Sequence, residues 1–178
     1  MNIIKTKLKD CVIIQPKVFV DERGFFLETY QANRYADLAG ITLPFVQDNY
    51  SSSSIGVLRG LHFQKTKPQG KLVRVVKGEV YDVVVDIRQG SQTYGQWEAI
   101  ILSEKNKTQV WVPPGFAHGF LVLSEKADFE YKCTNYYDPA DEESLLWNDT
   151  NLNIPWPNND PKLSKKDANA SLLTDLEK

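Results

Sequence analysis

A mainly β chain, folded as a sandwich or barrel of short strands, is what this sequence predicts. Three observations lead there. Runs of β-branched and aromatic residues recur along the middle of the chain, and such residues fit a pleated, half-buried surface. Turn-forming clusters separate the runs: Asp21-Glu22-Arg23-Gly24, Lys67-Pro68-Gln69-Gly70, Arg88-Gln89-Gly90-Ser91, Ser103-Glu104-Lys105-Asn106 and Pro113-Pro114-Gly115. Helix signals are few, and many short strands with closely spaced turns indicate a sandwich or barrel.

In chain order, strands are expected at 10–20 and 24–30, on either side of the Asp21–Gly24 turn. One helix follows over 31–39, with Tyr35, Leu38 and Ala39 on one side and Gly40 as its stop. Strands follow at 57–64 and 71–77, divided by the Lys67–Gly70 turn. The next is the strongest of all, Glu79-Val80-Tyr81-Asp82-Val83-Val84-Val85-Asp86-Ile87, bounded by Gly78 and Gly90. Further strands are expected at 97–103, 109–113, 117–123 and 128–135. The stretch 148–161 is the loosest, because Pro155, Pro157 and Pro161 favour an extended path across the surface. Short helical turns are expected within 163–176. No repeat or linker divides the chain, so 1–178 reads as one domain whose tail, from about 148 on, packs on the barrel.

The bulk numbers exclude several classes. With 178 residues, 42% hydrophobic and 25% charged, a real core is expected. A net charge of -2 and no long basic run argue against sequence-independent nucleic-acid binding. Cys11 and Cys133 fit neither a metal spacing nor a disulfide framework and read as reduced, buried thiols. No apolar run matches a signal peptide or a membrane span, so the expectation is a soluble, cytoplasmic protein without a membrane partner.

Only two histidines occur, His62 and His118. A three-histidine metal site is therefore impossible, while a single imidazole base, titrating near neutral pH, is available. On an unbroken strand Leu58, Gly60, His62 and Gln64 share one face and Arg59 points the other way. For Arg59 and His62 to serve one site, the strand must bulge near Gly60 or Arg59 must reach round an edge. The alternative for His62 is a hydrogen-bonded core histidine. Lys71 shares a face with Val73 and Val75, where an amine is costly to bury. It reads either as a point charge for a phosphate or developing oxyanion, or as a strand-end lysine reaching solvent. His118 is held rigidly after the Pro113-Pro114-Gly115 turn, as a bond to a neighbouring strand or as a catalytic group. Tyr131 is a core tyrosine or, if it faces a substrate, a proton donor. Arg23 reads as a loop charge and Asp167 as a surface carboxylate or helix N-cap.

Those residues lie in motifs that carry a resemblance. Asp21 through Thr29, Gln47-Asp48-Asn49-Tyr50-Ser51, Leu58-Arg59-Gly60-Leu61-His62-Phe63-Gln64, Gln69-Gly70-Lys71-Leu72-Val73, Gly78 through Val83, Tyr94-Gly95-Gln96-Trp97, Pro114 through Phe120, Tyr131 through Tyr137 and Leu163 through Ala168 resemble, in order and spacing, the dTDP-4-dehydrorhamnose 3,5-epimerases. The resemblance implies a cupin-type antiparallel jelly roll, a homodimer with sites shared between subunits, and no metal or organic cofactor. It implies conversion of dTDP-4-dehydro-6-deoxy-D-glucose to dTDP-4-dehydro-L-rhamnose, for dTDP-L-rhamnose biosynthesis. By the same resemblance His62 is the base, oriented by Asp167, Tyr131 is the acid on the opposite face, and Lys71 stabilises the enolate. Arg59 and Arg23 pair with the diphosphate, and Gln47, Asn49 and Glu28 contact the nucleotide. Tyr137 stacks on thymine, His118 supports the pocket near the sugar, and the segment from Arg23 through Phe26 to Glu28 reaches the partner subunit's site. Two positions depart from the family pattern: Lys165 stands where a glutamate is usual, and Ile154-Pro155-Trp156-Pro157 has proline in place of a polar residue.

Three other classes are open. A metal-dependent cupin needs several converging ligands, yet Gln64 stands where a His-x-His pair would have its second histidine. A non-catalytic sugar-binding cupin needs no paired acid and base. A mono-epimerase inverting only C3 or C5 differs in pocket shape, which sequence does not display.

Overall fold

The computed structural model describes residues 1–176. Two antiparallel sheets face each other. One has six strands in the order β1 (Asn2–Lys5), β2 (Val12–Gln15), β10 (Gln109–Val112), β7 (Lys71–Lys77), β12 (Lys126–Cys133) and β5 (Gln47–Ser54). The other has five: β13 (Glu142–Ser144), β6 (Leu58–Gln64), β11 (Phe116–Val122), β8 (Glu79–Asp86) and β9 (Trp97–Ser103). From β5 onward the chain passes repeatedly from one sheet to the other, which is the double-sheet jelly roll that the family resemblance implies. A separate ribbon pairs β3 (Val18–Asp21) with β4 (Gly24–Leu27).

Three apolar clusters hold the layers. Val73, Val75 and Phe129 of the six-stranded sheet meet Val80, Val84, Phe120 and Val122 of the five-stranded sheet between the layers. Val83 and Val85 point the opposite way, into a cluster closed by Leu145, just after β13, and by Leu152, Ile154, Trp156 and Leu173 from the tail. With both faces of β8 covered, its sequence is nearly continuously apolar rather than alternating. On the outside of the six-stranded sheet, Tyr35 and Ile41 cover Ile14, Leu72 and Trp111.

Helix α1 (Ala32–Ala39) starts at Gln31, whose side chain accepts from the Arg34 N–H. It stops at Gly40, which takes a left-handed conformation at φ 71° and turns its N–H back to Tyr35 and Ala36. Tyr35 is buried as expected, but Leu38 is exposed. The expected 10–20 strand is two strands, because Pro16 has no N–H to continue the ladder between β2 and β3. The expected 24–30 strand ends at Leu27. The stretch 148–161 is irregular, yet it is anchored rather than loose: Leu152, Ile154 and Trp156 are buried. The Trp97 indole N–H donates to the Leu152 carbonyl at 2.8 Å and that of Trp156 to Trp147 at 2.7 Å. The tail carries α2 (Lys165–Ala168) and a 3-10 turn at Leu173–Asp175. Cys11 and Cys133 are buried free thiols, and burial pushes that of Cys11 up to about 12. Among the described residues no helix is long and apolar enough to cross a membrane.

Asp86, at the end of β8, fastens the turn that follows it. Its side chain is fully buried and accepts from Arg88, Ser91 and Thr93. Burial alone would raise its pKa, but those donors outweigh it and lower the value from 3.8 to about 2. A depressed folded-state pKa gives stability that is full above the unfolded value and lost as pH falls through the folded one. One shift of this size is worth on the order of 2 kcal/mol. Asp86→Asn should therefore lower stability to urea at pH 7 by at least that order, and the gap from the native chain should close as pH falls toward 2. Urea unfolding across this acid range checks it, and a pH-independent gap would contradict it.

Candidate active site

The geometry of the site begins with one extra residue in β6. His62 pairs with His118 of β11, but the next registered pair is Arg59 with Phe120, three positions along β6 against two along β11. This bulge reverses the parity of the strand, so Arg59 and His62 face one cavity. Leu58 and Leu61 turn instead into the apolar cluster under the tail. The expectation that Leu58 shares the His62 face is thus corrected, and of the two routes for Arg59 the chain takes the bulge. Gly60 makes it possible. Its φ is 125°, and a Cβ there would lie 2.5 Å from the Gly119 Cα and 2.8 Å from the His118 carbonyl oxygen. Across the ladder, a Cβ on Gly119 would lie 2.6 Å from the Arg59 carbonyl oxygen.

The cavity, about 380 Å³, opens between the sheets at the end that the apolar core leaves unfilled. Arg59, His62 and His118 line it from the five-stranded sheet, and Gln47, Asn49, Lys71 and Tyr131 from the six-stranded sheet, with Tyr137 at its edge. His62 and Tyr131 therefore approach it from opposite layers.

His62 Nε2 lies 2.7 Å from Asp167 Oδ1. Asp167 is only 3% exposed, so the surface-carboxylate reading fails. The N-cap reading fails too, because Ser164 is the cap and its hydroxyl accepts from the Asp167 N–H at 3.1 Å. The segment carrying Asp167 is stitched down on both sides. Lys162 pairs with Val57 at the head of β6, and Ser171 with Leu145 beyond β13, both in parallel bridges. Burial opposes ionisation of Asp167, but the His62 hydrogen bond and charge outweigh it, with help from Ser164 and the Gly60 N–H, and hold the carboxyl below its usual value. An ionised carboxylate only accepts, so His62 donates through Nε2, and whenever the ring is neutral the Nδ1 lone pair is left for the cavity.

Lys71 opens β7, whose Val73 and Val75 enter the core, and it is 8% exposed rather than reaching solvent. Its amine makes no direct ion pair or hydrogen bond among the described residues. Burial pushes its pKa down, opposed by Cys133, Glu142 and Asp82. The Tyr131 hydroxyl is pushed up to about 12 by burial, with Cys133 and Glu142 adding to it, so it keeps its proton at neutral pH. Arg59 donates to the Ser53 hydroxyl at 3.0 Å. His118 Nε2 lies 2.8 Å from Asp82 Oδ2 on the neighbouring strand, so it has the bond to another strand and a place in the cavity wall at once. Gln47 donates to Asn49 at 3.0 Å and accepts from the Tyr137 N–H at 2.9 Å.

Three expected site residues lie elsewhere in this chain. Arg23, with a side chain 85% exposed, pairs with Asp21 of its own ribbon. Phe26 projects from that ribbon, and Glu28 pairs with Arg34 of α1. Conversely, sequence reasoning missed Glu142 and Asp82. Glu142 lines the cavity, accepting from Lys166 and, at 3.1 Å, from the Tyr137 hydroxyl. It lies in a run of acids that reads as a solvated loop, whereas Asp82 had a usable signal, a charge inside the most apolar strand. Among the described residues no three His, Cys, Asp or Glu side chains are grouped so as to hold a metal ion.

Comparison with known proteins agrees across nearly the whole chain. A family model described as dTDP-4-dehydrorhamnose 3,5-epimerase matches residues 5–175. A curated protein of that name from Salmonella typhimurium is 56% identical over 175 residues, covering 97% of this chain and 96% of its own. The crystal structure of the dTDP-6-deoxy-D-glucose-3,5-epimerase of Legionella pneumophila, in complex with dTDP-4-keto-L-rhamnose, matches with a TM-score of 0.95 at 58% identity, covering 97% of this chain and 93% of that one. A 3'-monoepimerase from Streptomyces bikiniensis, in complex with dTDP-quinovose, matches at 0.90 and 32% identity, covering 97% and 88%.

The bulge makes a stability prediction. Gly119→Ala tests the close approach of the strands without any change of backbone class, and it should cost about 1–3 kcal/mol. Gly90→Ala, where a Cβ meets nothing within 4 Å but φ is 79°, carries only the conformational penalty. Urea unfolding should rank Gly119→Ala and Gly60→Ala as the more damaging; equal losses at all three positions would show that the strands can separate freely.

Proposed function

The chain belongs to the dTDP-4-dehydrorhamnose 3,5-epimerase family, and on that footing we propose that it converts dTDP-4-dehydro-6-deoxy-D-glucose to dTDP-4-dehydro-L-rhamnose by taking and returning protons at C3 and C5. The observation that carries the mechanism is a His62–Asp167 pair on one layer and Tyr131 on the other, across a cavity that also holds Lys71. C3 and C5 both flank the C4 ketone, so loss of either proton gives an enolate conjugated with the same carbonyl. His62 Nδ1 takes the proton, and the Asp167 carboxylate stabilises the imidazolium that results. Lys71 donates to the C4 oxygen as negative charge develops there. Tyr131 returns a proton from the other face and recovers its own from solvent, as His62 loses its proton to solvent. Side chains carry every step, with no cofactor.

Binding is assigned to the rest of the site. Arg59 takes the diphosphate, for which a guanidinium is well shaped. Gln47 and Asn49 contact the nucleotide, Tyr137 stacks on thymine, and His118 supports the sugar. Arg23, Phe26 and Glu28 serve the cavity of a second subunit in a homodimer. The β3–β4 ribbon supports this, since Phe19, Val20, Phe25 and Phe26 are 50–78% exposed, and contiguous exposed apolar groups mark interaction surfaces. The chain acts as one domain, because the tail supplies Asp167 to the sheet that holds His62. Two unpaired buried thiols fit a reducing cytoplasm.

Turnover in deuterated water tests the function. Deuterium should enter at both C3 and C5; label at one carbon would mean a mono-epimerase, and none would defeat the assignment. His62→Ala should abolish exchange at both positions. Tyr131→Phe should impair inversion more than exchange, and full inversion in that variant would remove the tyrosine from the mechanism.

A further inference from the structure

Two histidine–carboxylate pairs stand side by side in the cavity wall, and the mechanism above uses only one for chemistry. His62 and His118 are direct partners in the β6–β11 register, so their side chains share a face. Each directs Nε2 to a carboxylate outside its own strand, Asp167 in the tail and Asp82 in β8.

Asp82 is a costly residue for its place. It is 0% exposed, and its neighbours on the same face, Val80 and Val84, belong to the apolar core. One oxygen meets His118 at 2.8 Å; the other, Oδ1, is buried with no hydrogen-bond partner among the described residues. A carboxylate half satisfied in such surroundings is expensive compared with a valine. Its one side-chain hydrogen bond among the described residues is with the imidazole. That contact fixes the ring as it fixes His62: Nε2–H donates to the carboxylate, and Nδ1 is left as an acceptor. The His118 ring is further clamped against Phe129, with centroids 6.0 Å apart.

We propose that Asp82 is a positioning residue of the reaction, holding His118 in the Nε2–H tautomer so that Nδ1 accepts a hydrogen bond from a sugar hydroxyl and sets the ring angle at which His62 works. This rests on the epimerase assignment of the cavity. Asp82→Asn is nearly isosteric, but its amide can donate to Nε2 and so force the opposite tautomer. It should lower kcat by roughly 10–100-fold, the range for partners that orient a metal-bound histidine, and raise KM by less, because the nucleotide contacts stay while one sugar contact is lost. In a His118→Asn background the same substitution should add little, since the two act as one unit. Nitrogen-15 spectra of the native enzyme should show His118 protonated at Nε2, a readout that needs no variant to fold. A bare Nε2 in those spectra, an unchanged kcat in Asp82→Asn, or a full second loss in the His118→Asn background would each overturn the proposal. If the native enzyme turns over while Asp82→Asn is silent, only the positioning role fails; if the native enzyme does not act on the dTDP-sugar at all, the functional assignment fails first.

Discussion

The site depends on the place where β6 gains one residue over β11. In a regular strand the guanidinium of Arg59 and the imidazole of His62 would lie on opposite faces, one in the cavity and one under the tail. The register step between the His62–His118 and Arg59–Phe120 pairs puts both in the cavity. The same step sends Leu58 to the other side, where with Leu61 it completes the cluster that seats the tail. A single irregularity thus couples the Arg59 guanidinium, the His62 imidazole and the platform for Asp167. It can exist only because Gly60 and Gly119 let the two backbones come close.

The layered architecture supplies the stereochemistry. Inverting a carbon centre needs a proton acceptor on one face and a donor on the other. In the proposed mechanism the acceptor, His62, belongs to the five-stranded sheet and the donor, Tyr131, to the six-stranded sheet. Their electrostatics diverge accordingly. Asp167 is held ionised behind His62 by the donors around it, while burial holds the proton on Tyr131. Asp167 reaches His62 across a sequence separation of 105 residues, through a tail anchored by tryptophan hydrogen bonds and two parallel bridges.

Where the sequence was readable, a packing rule made it so. β8 stood out because both of its faces are buried, and α1 because Gly40 could end it. β5 was invisible as a strand: it is an edge strand, and its inward residues Gln47, Asn49 and Ser51 line the cavity instead of a core. Apolar alternation, the usual sign of a strand, is absent for that reason. The conflict between Arg59 and His62 could be stated from parity alone, and Gly60 pointed to its solution. Asp167 came only from family resemblance, since a four-residue helix in a proline-rich tail leaves little periodic signal. Arg23, Phe26 and Glu28 were likewise named only by resemblance, and a single chain does not bring them to its own cavity.

The most direct test of the coupled site is a crystal structure of the protein with the 4-dehydro-sugar nucleotide or an inert analogue bound. Arg59 should lie on the diphosphate and His62 Nδ1 against the sugar ring of the same ligand, with Asp167 still on Nε2 and the Tyr131 hydroxyl on the opposite ring face. A ligand that engages Arg59 while His62 points away from the sugar, or one with His62 and Tyr131 on the same face, would contradict that arrangement.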